Sequence, residues 1–483
     1  MSRNVLAIDI GSSALKAVLF GADGVMLASR SRPIATVQGP DRSQTQDPDA
    51  WWRSLKEALA ELPGREKISA VVCTGSMQNL IVLSPQGRPL TPAALYSDRR
   101  LEEDEISALE KRLPEDYATR TGNRLDPAHT ILKLMRPDRF APGGAWSRDM
   151  RFCFGAKDAL TFRMTGRAAI DPTIASTTGL MNLKQRDWDP ALVGASGVDR
   201  DVLPEILPAD AVIGTLRSGP AAELGLAEGL VVFNGAGDAA AATWGASADR
   251  PGAAYAYLGT TGWVAATLSL HDAAPPRDIY TLADPIHPDR AIIISPFLTA
   301  GAAMDWLAEV TGGKVEALLA QAAELEEHPP STLFLPYLAG ERAPFEDQNV
   351  RGAFLGLDRA HGAGAMAHAV MEGVAFAIRH NLETAGLPSS SLTVIGGGAR
   401  HPLQRRILAD ALKRGITFPH DSQEMTARGV LRMIAGKIGL QPDSRGAGVL
   451  VAPRPERTAR SDLRFEAYLA ASRFARDQAR LLN

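Results

Sequence analysis

The chain has 483 residues, 45% of them hydrophobic and 22% charged, with a formal net charge of −3. That length exceeds one ordinary domain and predicts two, of roughly 200 to 250 residues each. The near-balanced charge excludes the basic footprint of a nucleic-acid binder and a polybasic membrane patch. The cysteines are Cys73 and Cys153, each inside an apolar strand-like run. This predicts buried free thiols and a reducing compartment, not a disulfide or a metal site. No apolar stretch reaches the roughly 18 residues of a membrane span, and the run before Asp9 is too short for a signal sequence, so the expectation is a soluble cytoplasmic protein.

Val5 to Ile10 reads as a strand, Gly11-Ser12-Ser13 as a turn, and Ala14 to Phe20 as a second strand. Asp23-Gly24 marks a hairpin into a third strand from Val25 to Arg30. This antiparallel meander matches neither the Walker pattern nor the dinucleotide fingerprint. The turn still offers backbone N–H groups and the Ser12 and Ser13 hydroxyls to a phosphate, with Asp9 beside it able to hold Mg²⁺ through water. A plain polar hairpin turn fits the same residues.

From Pro48 to Leu62 the apolar side chains Trp51, Trp52, Leu55, Ala58 and Leu59 recur at helical spacing, with Asp47 or Asp49 available as a cap. Ile68 to Thr74 is a strand that breaks at Gly75, and Ser76-Met77-Gln78-Asn79 separates it from another strand, Leu80 to Leu83. Gln78 and Asn79 are therefore expected at a sheet edge or in a cleft, where amides suit hydroxyl-bearing ligands or serve as buried, satisfied groups. In Tyr96-Ser97-Asp98-Arg99-Arg100 the simplest reading of Asp98 is a surface ion pair, worth under about 1 kcal/mol. A charged amphipathic helix or helix pair is expected over 101–120, a helix ending at Gly166, and a Thr/Ser-rich polar loop over 171–178.

Gly229 to Phe233 reads as a buried strand leading into Asn234-Gly235-Ala236-Gly237-Asp238, after which Ala239 to Ala242 favour helix. Asp238 thus sits at a strand-to-helix corner, placed either to cap the helix or to act as a general base. The preferred boundary follows this corner, giving an N-terminal unit of 1–246 and a C-terminal unit of 247–483. Just beyond it the opening pattern returns: Ala254 to Leu258, Gly259-Thr260-Thr261-Gly262, then Trp263 to Leu268. The repeat predicts an internal duplication, with two hydroxylated glycine turns facing a shared cleft and suited to a nucleotide. Further on, Pro296 to Gly301 leads into a helix through Trp306 and Leu307, and Leu333 to Arg342 is a strand followed by a charged loop. Met366 to Ile378 is a helix with one apolar face. Leu392 to Ile395 ends in Gly396-Gly397-Gly398-Ala399, a glycine corner flat enough for a planar or phosphorylated ligand. The last expected element is a helix over 462–482, with Phe465, Leu469, Phe474 and Leu481 as its apolar residues.

Taken together, D-I-G-S-S at 9–13, G-A-G-D at 235–238, L-G-T-T-G at 258–262, A-V-M-E-G-V at 369–374 and G-G-G-A at 396–399 resemble the FGGY family of carbohydrate kinases over essentially the whole chain. The resemblance implies an α/β, two-lobed, actin-like (ribonuclease H-like) ATPase fold of duplicated domains with the site in the cleft between them. It implies transfer of a phosphoryl group from ATP to a sugar or polyol hydroxyl with Mg²⁺, and usually a homodimer. By that likeness Asp238 is the catalytic base and Asp9 supports the metal. Ser12, Ser13 and Lys16 match the first phosphate turn, and Gly259, Thr260 and Thr261 the second. Gly301, Gly397, Gly398 and Ala399 fall on the nucleotide side, and Met77, Gln78 and Asp98 where the family contacts sugar. These last segments look most similar to the xylulokinase branch, which usually carries Met-His and Trp-Asn-Asp; here Met77-Gln78 and Tyr96-Ser97-Asp98 stand instead. D-Xylulose is the expected substrate. Another pentulose, a hexulose, a polyol, or the role of a silent sugar-binding regulator are the alternatives.

Overall fold

A computed structural model describes residues 4–271, 279–387, 392–420, 424–440 and 448–482. Two mixed sheets organise it. In the first, Asn4–Ile10 runs antiparallel to Ala14–Phe20, which runs antiparallel to Met26–Pro33. On the other side Asn4–Ile10 is parallel to Ile68–Gly75, which is parallel to Val231–Phe233; the edge strand Val212–Thr215 is antiparallel to that.

The second sheet repeats the scheme strand for strand. Ala254–Leu258 takes the place of Asn4–Ile10, with Gly262–Ser269 and Arg290–Phe297 antiparallel on one side. Leu392–Ile395 and Ile416–Phe418 are parallel on the other, and Val449–Val451 closes antiparallel. The expected duplication is therefore a property of the topology. The second sheet adds one strand, Tyr280–Ala283, at the edge beside Arg290–Phe297. The two copies also reach their far edge in opposite chain order, since Val212–Thr215 precedes its neighbour and Val449–Val451 follows its own.

Hydrophobic patterning explains the layers. Leu6, Ile8 and Ile10 face a core with Trp51, Trp52, Leu55 and Leu59 of the helix Pro48–Ala60, while Val5 and Ala7 face the other way. That second face packs on Ala240, Ala241 and Trp244 from one helix and on Ala427, Val430 and Ile434 from another. Its cluster also takes in Leu282 and Ile292 from the second sheet, so one apolar core spans both halves.

Cys73 and Cys153 are buried free thiols, as composition predicts. No helix among the described residues is long and apolar enough to cross a membrane.

Several local expectations change. Residues 171–178, expected as a polar loop, are largely helical and buried: Asp171 caps the short helix Pro172–Ser176 by accepting from the Thr173 and Ile174 N–H groups. The helix expected from Met366 begins at Ala363, runs to Thr384 and is buried nearly all round, because it lies between two layers of the second lobe. The last helix begins at Pro455, not near Asp462, and Phe474 and Leu481 on it are exposed. A periodicity of 3.6 identifies the helix but cannot say which of its apolar residues find a partner.

Candidate active site

The site begins where three parallel strand ends stand level. Asp9 pairs with Thr74 and Thr74 with Ala236; one step on, Ile10 pairs with Gly75 and Gly75 with Gly237. The carboxyl ends of parallel strands are where open α/β sheets place ligands. Two glycines permit this convergence. Gly235 has φ +70°, and a Cβ there would stand 1.8 Å from the Cys73 carbonyl oxygen. A Cβ on Gly237 would stand 2.2 Å from Met77 Sδ, so Met77 packs directly under the corner.

Asp238 is the first residue of the helix Asp238–Gly245, and Gly237 occupies the cap position. The capping alternative is thus not the one adopted: the cap position is Gly237, and the Asp238 carboxylate accepts from the adjacent Ala239 N–H at 2.8 Å. Burial, reinforced by the negative charge of Asp9, pushes its pKa up to about 7. Burial likewise raises Asp9, against a 2.6 Å hydrogen bond that Asp9 accepts from Thr426 Oγ1. A carboxylate poised near neutrality is suited to take a proton at physiological pH.

Thr426 arrives from the helix Met425–Ile434, which crosses the Asp238 helix without intervening side chains. A Cβ on Gly429 would lie 1.8 Å from the Ala241 carbonyl oxygen, and one on Gly245 would lie 2.0 Å from that of Met425. Beneath the corner lies a buried charge cluster. Lys157 Nζ is 2.6 Å from Asp158 and 3.3 Å from Asp171, and all three side chains are fully buried. Lys157 also approaches Asn234 Oδ1 at 3.4 Å, on the segment that leads to Asp238.

Around the glycines expected on the nucleotide side the chain is tightly knotted. Gly301 N donates to Gly259 O at 2.7 Å, and Ala300 N to Thr260 O at 3.0 Å. Gly396 has φ +100°, and a Cβ on it would lie 2.3 Å from the Leu258 carbonyl oxygen. These corners wall a cavity of about 560 Å³, lined by Gly259, Thr260, Gly301, Gly397 and Gly398 with apolar Met304, Val370 and Val374. Volume and lining are those of a pocket for one small organic ligand. Thr261 is exposed on the turn and stands outside this wall, and the Ala399 methyl is turned into the core. Ser12 and Ser13 are exposed on the first turn, while Lys16, across the strand pair from Asp9, lies 3.7 Å from Glu424.

The residues expected on the sugar side fare unequally. Gln78 is half-buried with φ +59°, a left-handed conformation unusual for a residue other than glycine. Asn79 is buried; its amide nitrogen donates to Ser76, while its Oδ1 has no partner, so the satisfied-amide alternative is met only in part. Asp98 is not at the surface: its side chain is about 1% exposed, accepts from Gln44 N at 3.0 Å and holds Arg100 at 2.9 Å. A second cavity, of about 1350 Å³, opens nearby and is lined by Arg99, Asp126, Tyr280 and Arg342 among others.

Sequence reasoning missed Lys133, Lys157, Asp158, Asp171, Thr426 and the Asp126–Tyr280–Arg342 group. Lys157-Asp158 inside an apolar run was a readable signal. Arg342 and Asp126 are 216 residues apart and carry no local one.

The comparisons with known proteins agree with this geometry. The FGGY family of carbohydrate kinases, N-terminal domain, matches residues 4–245, and its C-terminal domain matches residues 254–436. The chain is 31% identical to the xylulose kinase of Escherichia coli (strain K12) over 435 residues, covering 89% of each protein. It is 26% identical to the gluconokinase of Bacillus subtilis (strain 168) over 463 residues, 89% of this chain and 86% of that one. The crystal structure of xylulose kinase from Rhodospirillum rubrum superposes with a TM-score of 0.87 at 25% identity, over 99% of this chain and 100% of that one. Two lobes on one duplicated sheet topology, two matching domains and relatives of this similarity lead to one conclusion: the chain is a sugar kinase and belongs to the FGGY family of carbohydrate kinases.

Proposed function

We propose that the protein transfers the γ-phosphoryl group of ATP to a hydroxyl of a ketose, with D-xylulose giving D-xylulose 5-phosphate as the preferred reaction. The observation that carries the reading is the placement of Asp238: a carboxyl with its pKa near 7, at the level ends of three parallel strands. In this role it accepts the proton of the attacking hydroxyl. Phosphoryl transfer asks mainly for positioning and charge stabilisation, and such a base contributes about 10²–10⁴-fold.

The glycine-walled cavity supports the adenosine side of ATP, with Gly259, Thr260, Gly301, Gly397 and Gly398 as its contacts. Thr261 and the Ser12-Ser13 turn, exposed hydroxyls beside Lys16, are assigned to the phosphates. The negative charge of Asp9 reaches Asp238, and Asp9 supplies hard oxygen donors; that set fits Mg²⁺, which binds through few carboxylates and keeps its waters. Asp9 is the residue that would hold it, and bound Mg²⁺ would neutralise charge on the phosphoryl oxygens. Among the described residues no group of three or more His, Cys, Asp or Glu could hold a metal ion. Met77, Gln78 and Asp98 form the sugar side, Asp98 through the loop it pins. We further propose lobes of 1–246 and 247–483, a cytoplasmic location and a homodimer.

A coupled ADP-release assay across pentuloses, hexuloses, polyols, aldoses and gluconate tests the reading. Highest kcat/KM with D-xylulose supports it. Highest kcat/KM with gluconate, the acceptor named for one relative, replaces the ketose, and ADP release that no acceptor stimulates removes the sugar-kinase assignment of the site.

A further inference from the structure

Lys133 lies on the short helix Thr130–Leu134 between Ile131, Leu132 and Leu134, and is itself about 2% exposed. An ammonium in such surroundings is costly unless its donors are met. Its partners are carbonyl oxygens of two separate segments: Ala128 O at 3.2 Å and Gln78 O at 3.4 Å. Burial lowers its pKa to about 8, with Asp98 and Asp126 opposing that shift and Arg99 and Arg100 adding to it. The Gln78 carbonyl it holds belongs to the left-handed residue at the sugar side, and backbone strain of that kind persists only where neighbours enforce it.

The other carbonyl leads across the cleft. Ala128 N donates to Asp126 Oδ1 at 2.8 Å, and Asp126 Oδ2 accepts from Tyr280 Oη at 2.7 Å and from Arg342, both in the second lobe. Burial opposes the Asp126 charge, but His129 and Arg342 hold its pKa below the usual range. A continuous chain of polar contacts thus runs from Arg342 and Tyr280, through Asp126 and the 126–128 turn, to Lys133 and Gln78.

We infer that Lys133 is a positioning residue for sugar binding: it clamps the Gln78 peptide in its left-handed conformation and ties that peptide to the second lobe through Asp126. The inference rests on the assignment of Met77 and Gln78 to the sugar side. Lys133 itself need not touch the sugar.

The test is the division of its effect between the two substrates. Lys133→Met, which keeps the volume and removes the cation, raises the sugar KM by about tenfold or more and leaves the ATP KM within about twofold. In the Gln78→Gly background, where the left-handed backbone needs no clamp, the further effect of Lys133→Met on sugar KM shrinks to about threefold or less. An unchanged sugar KM, equal rises for sugar and ATP, or an undiminished effect in the Gln78→Gly background overturns the inference. Should Lys133→Met not accumulate as folded protein, Lys133→Arg is read by the same division: a rise confined to sugar supports the clamp, and equal rises or none overturn it. A wild-type enzyme that phosphorylates no sugar would refute the sugar-site reading instead, so the two failures are distinguishable.

Discussion

Thr426 donates a 2.6 Å hydrogen bond to Asp9, a residue 417 positions away and within the other matched family domain. The contact exists because Gly245 and Gly429 let two helices touch backbone to backbone. It lowers the pKa of a carboxyl that burial otherwise raises, and so favours the ionised form that the metal role proposed for Asp9 requires. Thr426→Val removes the hydroxyl at nearly constant shape. A lost hydrogen bond to a charged group is worth about 1.5–3 kcal/mol, so the half-saturating Mg²⁺ concentration should rise by about tenfold or more, with kcat recovering at high Mg²⁺. An unchanged Mg²⁺ titration would separate Asp9 from the metal.

Asp238 gives a pH dependence with a definite sign. Its folded pKa is pushed up to about 7 from an ordinary value near 3.8. A base must be ionised, so kcat/KM should fall as pH drops through about 7 in the free enzyme. Stability runs the opposite way: the native state binds the proton more tightly than the unfolded chain, so this group's destabilising effect builds as pH rises from the ordinary value near 3.8 to about 7 and is constant above that. Asp238→Asn should therefore cut turnover by about 10²-fold or more while raising Tm at pH 8 more than at pH 5. Near-wild-type turnover of the purified variant would remove Asp238 from the chemistry.

The helix contact that positions Asp238 is itself open to measurement. Gly429→Ala places a methyl where the Ala241 carbonyl stands, 1.8 Å from the ideal Cβ. The helices must separate, which costs about 1–3 kcal/mol for overpacking of this kind. Denaturant unfolding should report that loss. Turnover at saturating substrates should fall as well, because both Asp238 and the Thr426–Asp9 bond ride on these helices.

Much of this arrangement was legible in the sequence, for a reason specific to its glycines. Gly235, Gly301 and Gly396 are required by backbone approaches of under 3 Å and Gly237 by the approach of Met77 Sδ, and such positions punctuate the sequence where the site is built. The repeated strand–turn–strand pattern likewise exposed the duplicated sheet, since alternation and turns are local signals. Burial of charge was not legible. Asp98-Arg99-Arg100 reads as a surface triplet, and only the fold brings Gln44 N against Asp98. Asp171 reads as part of a polar loop because its helix is just one turn long and its cation, Lys157, is supplied by another helix. Phe474 and Leu481 follow a helical period yet remain exposed, since periodicity does not name a partner.

Gly301→Ala probes the nucleotide side alone. Its added methyl would meet the Gly259 carbonyl oxygen at 2.7 Å and push the turn carrying Thr260. The ATP KM should rise by about tenfold, with the sugar KM nearly unchanged; a mutation that moves an atom by about 1 Å at a positioning contact can cost 10²-fold. Titration of a non-hydrolysable ATP analogue checks this directly, and undiminished affinity would move the adenosine out of this cavity.

The buried cluster beneath Asp238 supplies the last prediction. Lys157 neutralises one of two fully buried carboxylates, and the second leaves the cluster with a net negative charge. Burial already raises Asp158 to about 6, against the pull of Lys157. Lys157→Met would leave Asp158 and Asp171 without their cation, a change that costs about 3–5 kcal/mol for a buried pair. The cost depends on Asp158 being ionised. As pH falls towards and below 6 Asp158 takes up a proton in the native state, so the difference in stability between variant and wild type should narrow. Equilibrium unfolding at pH 8 and pH 5.5 measures the two differences. A deficit that stays constant across that interval would mean that packing of the lysine stem, not its charge, holds the floor of the site.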